Sequence, residues 1–156
     1  MNDPVLAHLH PSPGRRIFAA GVLGLLGVLL VWMAVSTPAN VGLRAFLALA
    51  GLGALYVMQW LWRATSTGVE LTRAELREIG GPVIVRVDQL SGVERGPFAF
   101  KPSNGFLLRL HEKQPRAWVP GLWWRLGRSV GIGGVTSGHE GKAMAEAIQM
   151  LITRSE

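Results

Sequence analysis

Ile17–Val35 (IFAAGVLGLLGVLLVWMAV) and Ala45–Trp62 (AFLALAGLGALYVMQWLW) are the stretches that decide the fold. The first has no charge and no strongly polar side chain, and as a helix it covers about 28 Å, the thickness of a bilayer's hydrocarbon core. The second is polar only at Gln59 and the Tyr56 hydroxyl. Between them Ser36–Gly42 (STPANVG) breaks the run, with Pro38 and Asn40 as turn residues. Paired helices of a water-soluble core would each keep a polar face, and neither run has one. The pattern predicts a transmembrane helical hairpin over 15–64, with spans of about 16–36 and 42–63. The short loop makes the two helices antiparallel neighbours. Gly21, Gly24 and Gly27 in one, and Ala50, Gly51, Gly53 and Ala54 in the other, offer small surfaces for close backbone approach. The same residues could serve as a docking face for another membrane protein.

The flanks set an orientation. Arg15 and Arg16 precede the first span and Arg63 follows the second, whereas the connecting segment has only Arg44. By the positive-inside bias both termini face the cytoplasm. Trp32, Trp60 and Trp62 near the span ends suit the interface, Arg44 can snorkel outward, and Gln59 belongs near the inner headgroups. No carboxylate or histidine lies within either span, which argues against a proton relay or transporter. Residues 1–14 (MNDPVLAHLHPSPG), with three prolines, are expected to form a mobile tail. Its His8-x-His10 pair has no nearby Cys or carboxylate to complete a metal site. The first run is too long, and its flanks are wrong, for a cleaved signal peptide, so it is expected to be retained.

The chain has 156 residues and a net charge of +6. Beyond the hairpin there is room for one small domain, 65–156. The absence of cysteine removes disulfide, thiolate and cysteine–metal chemistry. Mild positive charge beside a membrane suits anionic headgroups, and no basic run or motif points to nucleic acid. After Thr65–Gly68 the apolar period changes to two: Val69–Thr72, Leu76–Ile79 and Val83–Val87, then Leu90–Arg95, Phe98–Lys101, Phe106–His111, Arg116–Val119 and Leu126–Ile132. Turn signals separate them, among them Gly80-Gly81-Pro82, Lys113-Gln114-Pro115 and Pro120-Gly121. Short strands at that spacing predict an antiparallel sandwich or barrel. One helix, about 138–153, closes the chain. Ser137 and Glu140 match a capping box, and Met144, Ala147, Ile148, Leu151 and Ile152 make one apolar stripe.

Seven or so short strands followed by a capped amphipathic helix, all behind two spans, resemble the bacterial membrane-anchored pleckstrin-homology (PH)-like domain proteins. The likeness covers roughly residues 15–153 and is carried by that order, by Gly68-Val69-Glu70-Leu71-Thr72 opening the β unit, and by the Trp118–Arg128 region before the last strand. It implies an α+β membrane protein: a two-helix transmembrane hairpin, then a PH-like antiparallel β-sandwich or barrel closed by a C-terminal helix. It also implies a bacterial inner membrane and a tethered binding or scaffolding module. The eukaryotic phosphoinositide site uses a basic cluster on the loop joining the first two strands. Here Arg73 and Arg77 are accompanied by Glu75 and Glu78, so that site is not carried over.

Trp118–Arg128 (WVPGLWWRLGR) is the most unusual stretch outside the spans. Trp118, Trp123 and Trp124 with Arg125 and Arg128 suit a headgroup boundary or a protein hot spot, and some of the indoles suit the core. The glycines at 131, 133, 134, 138 and 141 do not fit a P-loop, because Ala143 follows Lys142, nor a dinucleotide fingerprint. His111, His139, Asp88, Ser91 and Ser129 show no catalytic pattern. The expectation is a non-enzymatic protein without metal or cofactor, with partners of membrane lipid and a membrane protein or complex. The alternative is an accessory subunit or assembly factor docking through the hairpin.

Overall fold

The structure is a computed structural model, and it describes residues 4–94 and 103–155. The chain divides into two units, one of Pro13–Arg63 and one made from residues 1–12 together with 64–156.

The helical unit is α1 (Pro13–Ser36) followed by α2 (Val41–Ala64). Proline opens α1, where its missing amide costs nothing. Asn40 opens α2, and its side-chain oxygen accepts the Leu43 amide at 2.8 Å. Buried Ala20, Gly27 and Ala34 of α1 recur at heptad-like spacing, Gly51 and Leu61 are the buried residues of α2, and Gly27 and Gly51 meet. A Cβ on Gly51 would stand 2.8 Å from the Gly27 carbonyl and 2.9 Å from the Val31 amide, so here the backbones themselves touch. Arg44 does more than snorkel: its Nε donates to the Ala34 carbonyl at 2.9 Å, capping the end of α1. Arg16 does the same for α2, donating to the Trp62 carbonyl at 2.5 Å with its guanidinium 4.1 Å from the Trp62 ring centre. Each helix thus places a cation on the negative end of the other. The remaining surface is apolar and open, with only Ala20, Gly27 and Ala34 of α1 and Gly51 and Leu61 of α2 buried. Both helices are long and apolar enough to cross a membrane.

The globular unit is α+β. One sheet has the order β1 (Ala7–Leu9), β2 (Val69–Leu71), β3 (Glu75–Glu78), β4 (Val83–Arg86); the other has β5 (Leu90–Glu94), β6 (Phe106–Val119), β7 (Trp123–Ile132). All pairings are antiparallel, a 3-10 turn at Val87–Gln89 joins the sheets, and α3 (Gly138–Ser155) ends the unit. There is no closed barrel among the described residues. Leu71, Leu76 and Ile84 of the first sheet, Phe106, Leu108 and Val130 of the second, and Met144 and Ile148 of α3 share one fully buried core.

Three sequence expectations change here. The segment 1–14, read as a mobile tail, contributes β1: Leu9 pairs with Val69, Ala7 with Leu71, and the Leu9 side chain is wholly buried. Its pattern of one inward leucine was too short to register as a strand. The capping box at α3 is answered differently. Glu140 accepts the His10 amide at 2.6 Å, and the Ser137 amide donates to the His10 carbonyl, so the segment after β1 supplies both partners. Finally, Lys113-Gln114-Pro115 is no turn. It is a bulged stretch inside β6, where the register shifts twice against β7 and Gly127 opposite takes a φ of 59°. The expected strand Phe98–Lys101 lies outside the described residues.

Candidate functional site

The β6–β7 ladder carries every residue of the aromatic and basic stretch. The Pro120-Gly121 turn folds β7 back so that Trp118 faces Trp124, Ala117 faces Arg125 and Val119 faces Trp123. With side chains alternating across a strand, Arg116, Trp118, Trp124 and Leu126 share one face, and Ala117, Val119, Trp123 and Arg125 the other.

That alternation separates structural residues from available ones. Trp123 is 4 % exposed, belongs to the core, and donates its indole N–H to Glu78 Oε1 at 2.7 Å. Arg125 is also committed: Nε donates to the Pro115 carbonyl at 2.8 Å and Nη1 to the Ile84 carbonyl at 2.5 Å. It therefore pins the bulge of β6 and caps a carbonyl of β4. Trp124 is half-buried, its ring lying where a Cβ on Gly131 would be, 2.3–2.6 Å away. Trp118 and Leu126, by contrast, are 57 % and 53 % exposed. Arg128 is exposed, as are Lys113 and Arg116, two residues that the sequence reading missed. The alternation counted back from Trp118 could have found Arg116, but the apparent turn at 113–115 hid it. Arg116, Ala117, Trp118, Trp124, Arg125 and Leu126 line a shallow groove of about 410 Å³.

The other cations of the sheets are spent in ion pairs. Arg77 meets Glu70 at 2.6 Å across β2–β3 and Glu75 at 3.5 Å, and Arg86 meets Asp88 at 2.9 Å. Arg109 meets Glu94 at 2.6 Å, and the hydrogen bond and charge of that carboxylate raise the guanidinium pKa above its ordinary value. Arg109 also donates to Ser129 Oγ. No cluster of three His, Asp or Glu able to hold a metal forms among the described residues. His8 and His10 stack with ring centres 5.7 Å apart, and His10 Nδ1 lies 3.4 Å from Glu140. The glycines before α3 serve a tight connection. The Gly133 and Gly134 amides are taken by the Leu122 and Ser103 carbonyls, and a Cβ on Gly134 would meet the Gly121 carbonyl at 2.7 Å.

Of the small residues in the helices, Gly24, Gly27 and Gly51 are pressed against the opposite helix, at Met58, Leu55 and Gly27 respectively. Ala50 and Ala54 are half-buried. Gly21 and Gly53 have open space where a Cβ would be, so they take no part in the pairing of α1 with α2. No family model, no curated protein and no solved structure matches this chain.

Proposed function

We propose that this is a two-span protein of a bacterial inner membrane whose globular unit is a non-enzymatic, PH-like binding or scaffolding module held at the cytoplasmic face. The observation that carries the reading is the position of the two open-faced apolar helices between two strands that pair. Because Leu9 pairs with Val69, the chain before α1 and the chain after α2 must lie on the same side of any bilayer. That pairing favours an even number of crossings, such as the two of a hairpin. The basic flanks Arg15, Arg16 and Arg63 favour the cytoplasm for that side.

The four- and three-stranded antiparallel sheets with one closing helix support the PH-like reading. The first strand coming from ahead of the spans is this chain's departure from the expected order. The absence of cysteine makes the test simple. Ala39→Cys, between the helices, is expected to react with a membrane-impermeant maleimide in intact cells, and Ser91→Cys only after lysis. The reverse pattern overturns the orientation, and full-length protein found in the aqueous fraction without detergent overturns the spans.

A second reading, an accessory subunit or assembly factor docking through the helices, is favoured by Gly21 and Gly53. Both leave open, close-approach surface unused by the hairpin itself. Its test is purification in mild detergent. A stoichiometric large complex that Gly21→Leu plus Gly53→Leu disperses supports it, and a lone chain overturns it.

A further inference from the structure

We propose that the open face of the β6–β7 ladder, formed by Arg116, Trp118 and Leu126 and flanked along the same two strands by the exposed Lys113 and Arg128, binds the anionic phospholipid headgroups of the membrane in which α1 and α2 are embedded. This rests on the two-span reading above.

Charge is the first argument. After residue 63 the chain has twelve basic and nine acidic side chains. The eighteen residues 111–128 contain four of those basic groups (Lys113, Arg116, Arg125, Arg128) and one acidic group, Glu112. What remains after residue 63 is eight against eight, so the positive excess of that part of the chain falls within this one segment. Arg125 is consumed by two carbonyls, whereas Lys113, Arg116 and Arg128 are exposed. Elsewhere in the sheets Arg77, Arg86 and Arg109 each hold a carboxylate. Cations with no ion-pair partner among the described residues are the ones able to act on an anionic surface.

The second argument is the kind of apolar surface. Trp118 and Leu126 stand out beside Arg116 rather than in a broad greasy patch, and the half-buried Trp124 is the backbone partner of Trp118 on the neighbouring strand. An amphipathic indole with guanidinium groups beside it matches the acyl–headgroup boundary. The third is tethering. Three residues join β1 to α1 and four join α2 to β2, segments that reach at most about 14 Å when extended. At that range even a weak lipid contact becomes an intramolecular one.

The test uses the full chain with a single introduced cysteine carrying an environment-sensitive fluorophore, either at Leu126 or, within α1, at Leu26. Each is placed in nanodiscs of phosphatidylcholine alone or with about one third phosphatidylglycerol. Quenching by acrylamide, which is neutral, reads access to water. The Leu126→Cys label is expected to be quenched about threefold less in the anionic discs, and high salt, which screens beyond about 3 Å at 1 M, removes the difference. Lys113→Glu with Arg116→Glu and Arg128→Glu is expected to remove it at low salt. Equal quenching of the Leu126→Cys label in both discs overturns the proposal. So does protection that appears only in native membranes and never in purified discs, which assigns the face to a protein. If the Leu26→Cys label is quenched freely as well, the two-span reading itself has failed. If that label is protected while Leu126→Cys is not, only the lipid inference falls.

Discussion

The helical unit is made from one unbroken run of chain, and the globular unit from two runs separated by that insertion. In the first, Gly27 on Gly51, Arg44 on Ala34 and Arg16 on Trp62 are contacts between two helices joined by a short loop. In the second, the closing contact joins residues some 60 and 130 positions apart, Leu9 with Val69 and His10 with Glu140. The lesson is that a hairpin can form before the rest of the chain is made, whereas the globular unit cannot close until the inserted helices bring both ends to one side. Loop-closure entropy is set by that long connection, and the pre-formed hairpin shortens it.

The largest effect follows from β1. Leu9→Ala removes a wholly buried leucine at the sheet edge and is expected to destabilise the globular unit by about 3 kcal/mol. Hydrogen exchange read by mass spectrometry should accelerate in β2 and α3 and stay unchanged in α1 and α2. Acceleration throughout would mean that the two units melt as one. Next is the helical counterpart. Gly51→Val drives a branched side chain into the Gly27 carbonyl and the Val31 backbone, costing about 2 kcal/mol. Gly53→Val, where nothing lies within 4 Å, is expected to stay within about 0.5 kcal/mol of the parent. Thermal unfolding in detergent compares them, and an equal loss at both positions would disprove the seam.

The contrast between local and distant contacts also explains what could be read from residues alone. Both spans and α3 announce themselves through long periodic patterns, and the observed helices differ from the expected bounds by only a few residues. β1 has three residues and one inward leucine, and its partner Val69 lies beyond both apolar helices, so no local pattern marks it. The interaction face was half legible. Trp118 and Arg128 are exposed, but Trp123 and Arg125, of the same residue types, turn inward. Only the alternation fixed by Trp118 opposite Trp124 distinguishes the pairs. The bulge at 113–115 concealed the rest, because a proline between polar residues has the same signature in a turn and in a distorted strand.

A smaller effect tests that inward turn. Trp123→Phe keeps the ring in the core and removes the hydrogen bond to Glu78, leaving a half-buried carboxylate without that donor. A loss of about 1.5 kcal/mol is expected in urea unfolding. Trp118→Phe, on the open face, should change stability by less than about 0.5 kcal/mol. Similar losses for the two would erase the distinction between the faces of the ladder.

The smallest effect separates stability from orientation in the helical unit. Arg44 and Arg16 play matching parts, each donating to the last-turn carbonyls of the opposite helix, so Arg44→Gln and Arg16→Gln should each cost up to about 1 kcal/mol. Their effects on topology should be opposite. Arg44, in the first turn of α2, is the one basic residue at the loop end of the two helices, and removing it sharpens the charge asymmetry that would favour the termini inside. Arg16 is part of that inner charge, and removing it weakens the asymmetry. In the cysteine-labelling experiment, Arg16→Gln is therefore expected to give a minor population with Ser91→Cys reactive in intact cells, while Arg44→Gln gives none. If both variants invert equally, the caps rather than the charges hold the hairpin's orientation, because only the loss of a cap is common to the two.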